Sequence, residues 1–437
     1  MTTFLVFVLL VVLAGLGMPV AFALGVAGIF GLYMTLGLEP TMGIIASTPF
    51  RQAASLILTT IPMFILMAEI ANQSKITERL FALAQAFIGH IRGGLGIATI
   101  VAASLMGAMS GSSSASTATF AATAAPAMEK RGYSTKLAMG IVSSAGTIAI
   151  MIPPSLAFIL YGVVTQTSIG MLFLAGIVPG ILTAVIYAIT VLILVGKDKE
   201  QINKLQKAYE TNRLSFGQKL NMLGSLVPVL IVAGVVVGGI YSGIMTATEA
   251  GAVGAFAMLI VALFHKDFKL KGFNFALDST VRTTAMVMSI IVSAFFFAYF
   301  ITTSGVAASM VSWVGGLQVS PHVVLIVLLM IYVVLGCFMD QTAVLIVTLP
   351  LAFPLITDLG FNPIWFGVLI TKTVEMGMLT PPFGMNCFIA AGVRNVSSDV
   401  VFRGTLPFVV AELVTLALLI AFPEIVTFIP DYVSSRK

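Results

Sequence analysis

Two charged side chains and a pair of prolines occur together in one apolar stretch of this chain. The stretch 375–386 reads EMGMLTPPFGMN, and Lys372 lies three residues before Glu375. Because Pro381-Pro382 offers no backbone N–H donors, a helix that reaches these residues must break. A helix broken inside an apolar region exposes carbonyl oxygens that can replace water around a cation, and N–H groups that favour an anion. These residue types therefore favour the binding of ions or of a charged solute.

The same arrangement occurs in the first half of the chain. GTIAIMIPPS, at 146–155, also carries two adjacent prolines within an apolar stretch. A nearly constant offset of 228 or 229 residues relates the two halves. Three matches define this register: Pro126 with Pro354, Pro153-Pro154 with Pro381-Pro382, and Gly25 with Gly254. The sequence therefore predicts two structural repeats.

The composition indicates where these repeats reside. The chain has 437 residues, of which 59% are hydrophobic and 9% charged, with a mean hydropathy of +1.09. Soluble proteins carry about a quarter charged residues, so we predict a polytopic protein of the lipid bilayer without a large soluble domain. The net charge of +5 comes from cations in short loops without an aromatic-containing basic patch, which argues against nucleic acid binding. The apolar run from Phe4 is predicted to be a first span rather than a cleaved signal peptide.

Apolar runs predict about ten crossings. They cover 3–16, 18–37, 52–71, 137–162, 171–195, 223–243, 246–264, 283–304, 363–391 and 405–428. One long polar segment, 197–219, separates the halves and contains six Lys or Arg residues. If this segment is cytoplasmic, most other loop cations also fall inside, and only Arg51, Arg436 and Lys437 fall outside. Because each repeat has an odd number of crossings, the repeats are predicted to be inverted.

Each half contains one further apolar segment that must return to the side from which it enters. These segments, 93–129 and 322–356, have small or polar centres, GAMSGSSSASTATF at 107–120 and LGCFMDQTAVL at 335–345. Such backbone is tolerated at membrane depth only where it lines a cavity or meets a polar ligand, so both segments are predicted to be re-entrant hairpins. The predicted fold class is an all-α polytopic membrane protein with two inverted repeats, two re-entrant hairpins and two broken helices, at 137–162 and 363–391.

The hairpin tips and the broken helices are the predicted sources of ligands. In the first half the candidates are Ser110, Gly111, Ser112, Ser113, Ser114, Ser116, Thr117, Gly146, Thr147, Pro153, Pro154 and Ser155. In the second half they are Gly336, Asp340, Gln341, Thr342, Gly377, Thr380, Pro381, Pro382, Gly384 and Asn386. Close helix packing is the alternative explanation for the run of Ser and Thr, because small residues also favour tight helix contacts.

The charges within apolar segments each have two interpretations. A carboxylate such as Asp340 inside an apolar hairpin indicates function, unless the hairpin tip reaches water. Lys372 and Glu375, spaced i, i+3, either neutralise one another or contact an anionic substrate. The remaining acids of this kind are predicted to pair between domains rather than to bind ligand: Glu69, Glu249 and Glu412.

Other chemistries lack their motifs. His90, His265 and His322 are scattered, so a metal cluster is not predicted, and Cys337 and Cys387 are predicted to be free buried thiols. The chain contains no HExxH, no GxxxxGK[ST] and no GxSxG, which argues against ATP use by this chain and against an enzyme. An intramembrane hydrolase would also need a Ser–Lys or paired-Asp motif at helix spacing, and neither is present.

Motifs in both halves resemble a known family over essentially the whole chain. They are GMPVAFALG (17–25), GSSSAS (111–116), IPPS (152–155), TEAGAVGA (248–255), MDQTA (339–343) and TPPFGMN (380–386). Together they resemble the large membrane (M) subunit of tripartite ATP-independent periplasmic (TRAP) transporters. The resemblance implies a multi-pass protein of the bacterial inner membrane. It also implies import of an organic acid with Na⁺ by an elevator-type transport domain that moves against a scaffold.

The resemblance also implies the positions of the ligands. One Na⁺ region would contain Ser110, Ser112, Gly146 and Thr147, and the other Gly336, Asp340, Gly377 and Thr380. Substrate contacts would come from Ser112, Ser155 and Asn386, with Lys372 as a counter-charge. C4-dicarboxylates, sialic acid and other sugar or keto acids are all candidate substrates.

Partners and domain boundaries follow from the same resemblance. The implied partners are a periplasmic substrate-binding (P) protein and a small four-helix membrane (Q) subunit. The Q subunit is expected as a separate chain, because this chain starts directly at the large subunit. The predicted scaffold, with its connecting helices, comprises 1–92 and 223–321, and the predicted transport domain comprises 93–196 and 322–437, with a cytoplasmic loop at 197–222. An ion or solute channel with re-entrant pore loops is the alternative, although the proline breaks beside each hairpin favour a closed central site.

Overall fold

The computed structural model describes residues 2–196, 222–225, 227–265, 268–316 and 318–435. Within these residues all regular structure is helical, with twenty α-helices and no β-strand, which confirms the all-α fold class. The predicted cytoplasmic loop at 197–222 lies outside the described residues except for its last position.

The helices follow one another with short connections. The first half contains α1 (Thr2–Gly15), α2 (Val20–Leu36), α3 (Leu38–Ala53), α4 (Thr60–Gln73), α5 (Ile76–Ile88), α6 (Gly94–Ser110), α7 (Ser113–Lys130), α8 (Thr135–Ile148), α9 (Leu156–Thr165) and α10 (Ile169–Gly196). The second half contains α11 (Val227–Tyr241), α12 (Ala247–Leu263), α13 (Leu270–Thr303), α14 (Val306–Gly316), α15 (Pro321–Phe338), α16 (Gln341–Asp358), α17 (Pro363–Gly377), α18 (Met385–Arg394), α19 (Ser398–Ala421) and α20 (Glu424–Ser434).

Helix boundaries repeat at the offset that the prolines indicate. Helices α7 and α16 begin and end 228 residues apart, and α8 and α17 begin at the same separation. Helices α6 and α15 end 228 residues apart. The 34-residue α13 follows α12 as α3 and α4 together follow α2. The two repeats are therefore built from matching elements in the same order.

The predicted hairpins and broken helices are present at nearly the predicted boundaries. The hairpins are α6–α7 and α15–α16, and the broken helices are α8–α9 and α17–α18. Six apolar helices have the length and composition to cross a membrane, and the α8–α9 pair, bent by 43°, is a seventh candidate. The other predicted crossings contain shorter apolar helices, among them α1, α2 and α12.

Three helical segments differ from the apolar runs that predicted crossings. Helices α3 and α20 lie where no separate helix was predicted, and α13 begins at Leu270 rather than near residue 283. Each of these segments mixes polar residues with apolar ones, as in LEPTMGIIASTPFRQA of α3. A hydropathy window detects burial in lipid but not helix formation, because intrinsic helix propensity does not require an apolar sequence.

Glycines allow the predicted scaffold helices of the two repeats to approach closely. A Cβ atom at Gly28 of α2 would lie 2.6 Å from the backbone nitrogen of Phe297 in α13, so only glycine fits there. The equivalent helix α12 packs against α4, where a Cβ atom at Gly254 would lie 2.9 Å from the sulfur of Met67. Each repeat therefore packs one helix against the other repeat, and small residues make this possible.

The hairpins are exchanged between the repeats in the same way. Helix α7 of the first hairpin packs against α18, and α16 of the second hairpin packs against α9. The entering helices stay within their own repeat, since α6 packs on α8 and α15 packs on α17. Both hairpin tips and both helix breaks are thereby brought to one region. The division into a scaffold and a moving transport domain stays a prediction.

Candidate functional site

The first hairpin tip is a sharp turn between two helices. Helix α6 ends at Ser110, and Gly111 has a φ of +54°, a left-handed conformation that glycine adopts without strain. Ser112 caps α7, because its side-chain oxygen accepts a hydrogen bond from the backbone N–H of Ala115 at 3.3 Å. The tip therefore presents the N-terminus of α7, which favours an anion, beside the C-terminus of α6, which favours a cation.

The second hairpin tip repeats this design with a charged cap. Asp340 lies 228 residues after Ser112 and caps α16, with Oδ1 accepting a hydrogen bond from the N–H of Ala343 at 3.2 Å. The side chain is partly buried, and its other oxygen carries the remaining acceptor capacity of the carboxylate. The two repeats thus place a hydroxyl and a carboxylate at equivalent positions.

The two helix breaks lie beside these tips. Helix α8 ends at Ile148, and α9 starts after Ser155, whose side-chain oxygen accepts a hydrogen bond from the N–H of Phe158 at 3.4 Å. Helix α17 ends at Gly377, and α18 starts only at residue 385. The Pro153-Pro154 and Pro381-Pro382 pairs lie within these breaks, as the sequence predicts.

Helix C-termini meet at each break in very close contact. A Cβ atom at Gly336 of α15 would lie 2.6 Å from the carbonyl oxygen of Val374, and one at Gly377 would lie 2.8 Å from the Cα atom of Gly336. In the first repeat a Cβ atom at Gly107 would lie 2.7 Å from the carbonyl oxygen of Ala149. Since the last four carbonyls of a helix lack intrahelical partners, each contact brings together oxygens that can coordinate a cation.

The candidate residues next to these contacts are also rich in oxygen. A Cβ atom at Gly146 would contact the hydroxyl of Thr117 and lie 2.9 Å from the carbonyl oxygen of Ser113. The Thr117 hydroxyl is buried without a hydrogen-bond partner. Thr380 donates from its hydroxyl to the carbonyl of Met376 at 2.7 Å. Hydroxyl and carbonyl oxygens are ligands for hard cations, so these residues fit Na⁺. In the part of the chain that is described, no group of three or more His, Cys, Asp or Glu residues is arranged for a metal ion.

A buried charge network lies behind the first break. Nζ of Lys372 lies 2.5 Å from Oε2 of Glu412 in α19, and both side chains are at most 1% exposed. Oε1 of the same carboxylate accepts hydrogen bonds from the hydroxyls of Tyr187 and Thr147, the latter at 3.3 Å. Lys372 therefore has a buried counter-ion, and this counter-ion is Glu412 rather than Glu375.

Glu375 belongs to a second, smaller network. Its Oε2 accepts a hydrogen bond from the hydroxyl of Ser113 at 2.7 Å, and the same hydroxyl oxygen accepts one from Nδ2 of Asn386 at 2.6 Å. Oε1 of Glu375 and Oδ1 of Asn386 are buried without hydrogen-bond partners. This network joins the first hairpin to both parts of the second broken helix.

Two cavities meet at the first hairpin tip. The central cavity, of about 80 Å³, is lined by Gly111, Ser112, Ser113, Ser114, Ile150, Leu156, Ala157, Asp340, Gln341, Thr342, Glu375 and Met378. The side cavity, of about 170 Å³, shares Gly111, Ser112 and Leu156 with it and extends to Glu69 and Asn72 of α4 and Thr283 of α13. Together they connect both hairpin tips to the predicted scaffold.

The predicted ligand residues fall into two groups around these cavities. Ser110, Ser112 and Asp340 line them. The other predicted residues lie in the surrounding walls: Gly146, Thr147, Ser155, Gly336, Lys372, Gly377, Thr380 and Asn386. The sequence provided no signal for Tyr187 as a partner of Glu412, because it lies within the apolar run of α10. The roles of all these residues in binding stay predictions.

Comparisons with known proteins agree with this arrangement. A family model described as the tripartite ATP-independent periplasmic transporter, DctM component, matches residues 7–425. The C4-dicarboxylate TRAP transporter large permease protein DctM of Pseudomonas aeruginosa is 34% identical over 409 residues, which is 91% of this chain and 94% of that protein. The ectoine TRAP transporter large permease protein TeaC of Halomonas elongata is 32% identical over 433 residues, 99% of each chain.

A solved structure shares the fold. The YdaH transporter of Alcanivorax borkumensis superposes with a TM-score of 0.64 over 88% of each chain, at 13% sequence identity. At this identity the likeness concerns the fold alone. The near-complete family match and the full-length relatives carry the assignment. This chain belongs to the tripartite ATP-independent periplasmic transporter family, as a large permease of the DctM type.

Proposed function

We propose that this chain is the large permease of a Na⁺-coupled symporter that imports an organic acid across the bacterial inner membrane. The observation that carries the proposal is the meeting of two hairpin tips and two helix breaks around one cavity. Helix C-termini there supply carbonyls for cations, and helix N-termini supply N–H groups for a carboxylate. One region can therefore hold Na⁺ and an organic anion together.

The first Na⁺ would bind where α8 breaks beside the first hairpin. Gly146 and Thr147 lie at the end of α8, and the backbone of Ser113 approaches Gly146 closely. Thr147 is held by Glu412 at 3.3 Å, which joins this region to the Lys372 ion pair. Ser110 and Ser112 complete the set of oxygen-bearing residues at the tip.

The second Na⁺ would bind where α15 and α17 end together. Gly336 and Gly377 let the two helix ends touch, and Asp340 and Thr380 follow these ends in the chain. Ion binding at either place would fix a hairpin tip against a broken helix. Since both tips line the central cavity, the substrate would bind best to the form that also binds Na⁺, and such shared preference is what coupling requires.

Transport would follow an elevator mechanism. In this proposal the predicted transport domain, 93–196 and 322–437, moves through the predicted scaffold, 1–92 and 223–321. The side cavity supports this division, because it separates the first hairpin tip from α4 and α13. An open boundary next to a tightly packed scaffold pair, α2 with α13, favours sliding of one body past another.

The partners proposed for this chain are a small membrane subunit on a separate chain and a periplasmic substrate-binding protein. The word tripartite in the family description and the term large permease in the names of relatives support further components. The relatives are named for C4-dicarboxylate and for ectoine, so the names of relatives leave C4-dicarboxylates, sialic acid and other sugar or keto acids as candidate substrates.

Uptake into proteoliposomes tests the proposal. The chain would be reconstituted with its small subunit, and labelled substrate would be added with its binding protein under an inward Na⁺ gradient. We expect uptake to stop when Na⁺ is equal on both sides and K⁺ supplies the same ionic strength. Uptake that is unaffected by this change would overturn Na⁺ coupling, and a non-saturating flux without the binding protein would indicate a channel.

A further inference from the structure

The central cavity has an unequal distribution of charge. Helices α7 and α16 both begin at this cavity, with Ser112 and Asp340 as their caps. The free N–H groups and hydroxyls of these first turns favour one carboxylate group. The remainder of the polar lining is dominated by acceptors, because Glu375 reaches the cavity from α17.

Two lining side chains have unused hydrogen-bonding capacity. Glu375 is fully buried and its Oε1 has no hydrogen-bond partner, although Oε2 accepts from Ser113. Gln341 is 6% exposed, and neither its amide oxygen nor its amide nitrogen is partnered. Buried polar atoms without partners are costly, so a cavity that contains them is matched to a ligand that bonds them.

No basic side chain is available to neutralise this lining. Among the described residues that line the central and side cavities, none is Lys or Arg. The nearby buried cation, Lys372, is held by Glu412 at 2.5 Å. Asp340 and Glu375 therefore give the central cavity two carboxylates, and the side cavity adds Glu69.

We propose that Glu375 selects a substrate with one carboxylate and, at its other end, a hydrogen-bond donor, either an ammonium-type cation or a hydroxyl group. This inference rests on the proposed function. Two Na⁺ ions would balance Asp340 and Glu375, so the single carboxylate of such a substrate binds at the helix N-termini. A dicarboxylate would bring its second negative charge to the unpartnered oxygen of Glu375, where nothing in the described lining offsets it.

Matched four-carbon acids test this selection. Binding of 4-aminobutyrate, 4-hydroxybutyrate, butyrate and succinate would be measured on the purified complex with its small subunit, in saturating NaCl, by isothermal titration. This measurement needs no binding protein. We expect 4-aminobutyrate and 4-hydroxybutyrate to bind at least tenfold more tightly than succinate, with butyrate between them. Gluconate and glucarate form a second matched pair, in which the monoacid should win by a similar factor.

A substitution separates the carboxylate from its size. Glu375→Gln keeps an amide oxygen that can accept from Ser113 but replaces the unpartnered oxygen with a donor. We expect succinate and glucarate to gain at least tenfold in affinity over their partners in each pair, relative to the unaltered protein. Ser113→Ala removes a neighbouring hydroxyl and keeps the carboxylate, so the order of affinities should stay the same. Glu424→Gln, an exposed acid in the first turn of α20, is the control.

The outcomes distinguish this inference from the proposed function. Succinate binding as tightly as 4-aminobutyrate, or equal changes for all ligands in Glu375→Gln, would overturn the selection by Glu375 while Na⁺-dependent binding of acids stands. If none of the six acids binds with Na⁺ present, the cavity is not a site for organic acids, and both proposals fall.

Discussion

Lys372 of α17 and Glu412 of α19 form an ion pair that is closed off from solvent and lipid, with Nζ and Oε2 2.5 Å apart. The carboxylate also receives the hydroxyls of Tyr187 and Thr147, so three helices besides α17 meet at this one group. Burying two charges is expensive, and their mutual attraction compensates only when the geometry and the additional hydrogen bonds are good. The pair therefore fixes how the broken helix α17 sits against α8, α10 and α19.

Removing only the cation of this pair should destabilise the protein strongly. Lys372→Met leaves Glu412 charged and buried, which costs about 3–5 kcal/mol in comparable cases. Thermal unfolding of the purified protein should show a clear fall in Tm. The double variant Lys372→Met/Glu412→Gln should recover most of it, because no uncompensated charge remains. Arg403→Met, which breaks an exposed i, i+4 pair with Asp399, is the matched control and should change Tm little. Equal effects of both single substitutions would contradict this account. Uptake by the double variant would also show that substrate binding does not need Lys372.

Adding a methyl group at the meeting point of α15 and α17 should impair Na⁺ binding. Gly377→Ala places a Cβ atom 2.8 Å from the backbone of Gly336, so the two helix ends must separate. The Na⁺ concentration for half-maximal uptake should rise several-fold, as measured in the proteoliposome assay. Gly392→Ala in α18 has no atom within 4 Å of the new methyl group and should leave Na⁺ dependence unchanged. An unchanged Na⁺ requirement in Gly377→Ala would place the second Na⁺ elsewhere.

Two substitutions at Asp340 separate its charge from its role as a helix cap. Asparagine caps helices about as well as aspartate, so Asp340→Asn should keep the hydrogen bond to Ala343 and the stability of α16. If the carboxylate also binds Na⁺, Asp340→Asn should raise the Na⁺ requirement several-fold at unchanged Tm. Asp340→Ala should add a loss of about 1 kcal/mol in stability. Normal Na⁺ dependence in Asp340→Asn, with a lower Tm in Asp340→Ala, would mean that the residue is only a cap.

Cross-linking tests the division into scaffold and transport domain. The rings of Phe64 in α4 and Phe173 in α10 lie 5.9 Å apart across the predicted boundary, and those of Phe7 and Phe297 lie 5.7 Å apart within the predicted scaffold. Cysteines at each pair would be joined by a bifunctional thiol reagent, with the buried Cys337 and Cys387 replaced by alanine. The first cross-link should abolish uptake, and the second should not. Full uptake with Phe64 and Phe173 positions joined would contradict elevator movement between these helices.

Much of the candidate site is readable from the sequence because its signals are local. Pro153-Pro154 and Pro381-Pro382 specify the two breaks, since proline cannot donate a helical hydrogen bond in any surroundings. Ser112 and Asp340 occupy equivalent positions in the repeats, and each is a residue type that caps helices. The hairpin boundaries at 93–129 and 322–356 agree with α6–α7 and α15–α16 within two residues. Helix α3 was missed, because its polar residues hide it from a criterion based on hydropathy.

The sequence by itself determined the repeats, the apolar helices, the broken elements and the family, because these depend on periodicity, proline positions and motifs along the chain. Only the tertiary structure decided which buried charges are partners. The i, i+3 spacing favoured Lys372 with Glu375, yet the helix packing places Glu412 against Lys372 and Ser113 against Glu375. Partner choice in a core depends on which distant helices are brought together, and spacing along one helix does not contain that information. The exchange of hairpins between repeats is what leaves one oxygen of Glu375 unpartnered at the central cavity.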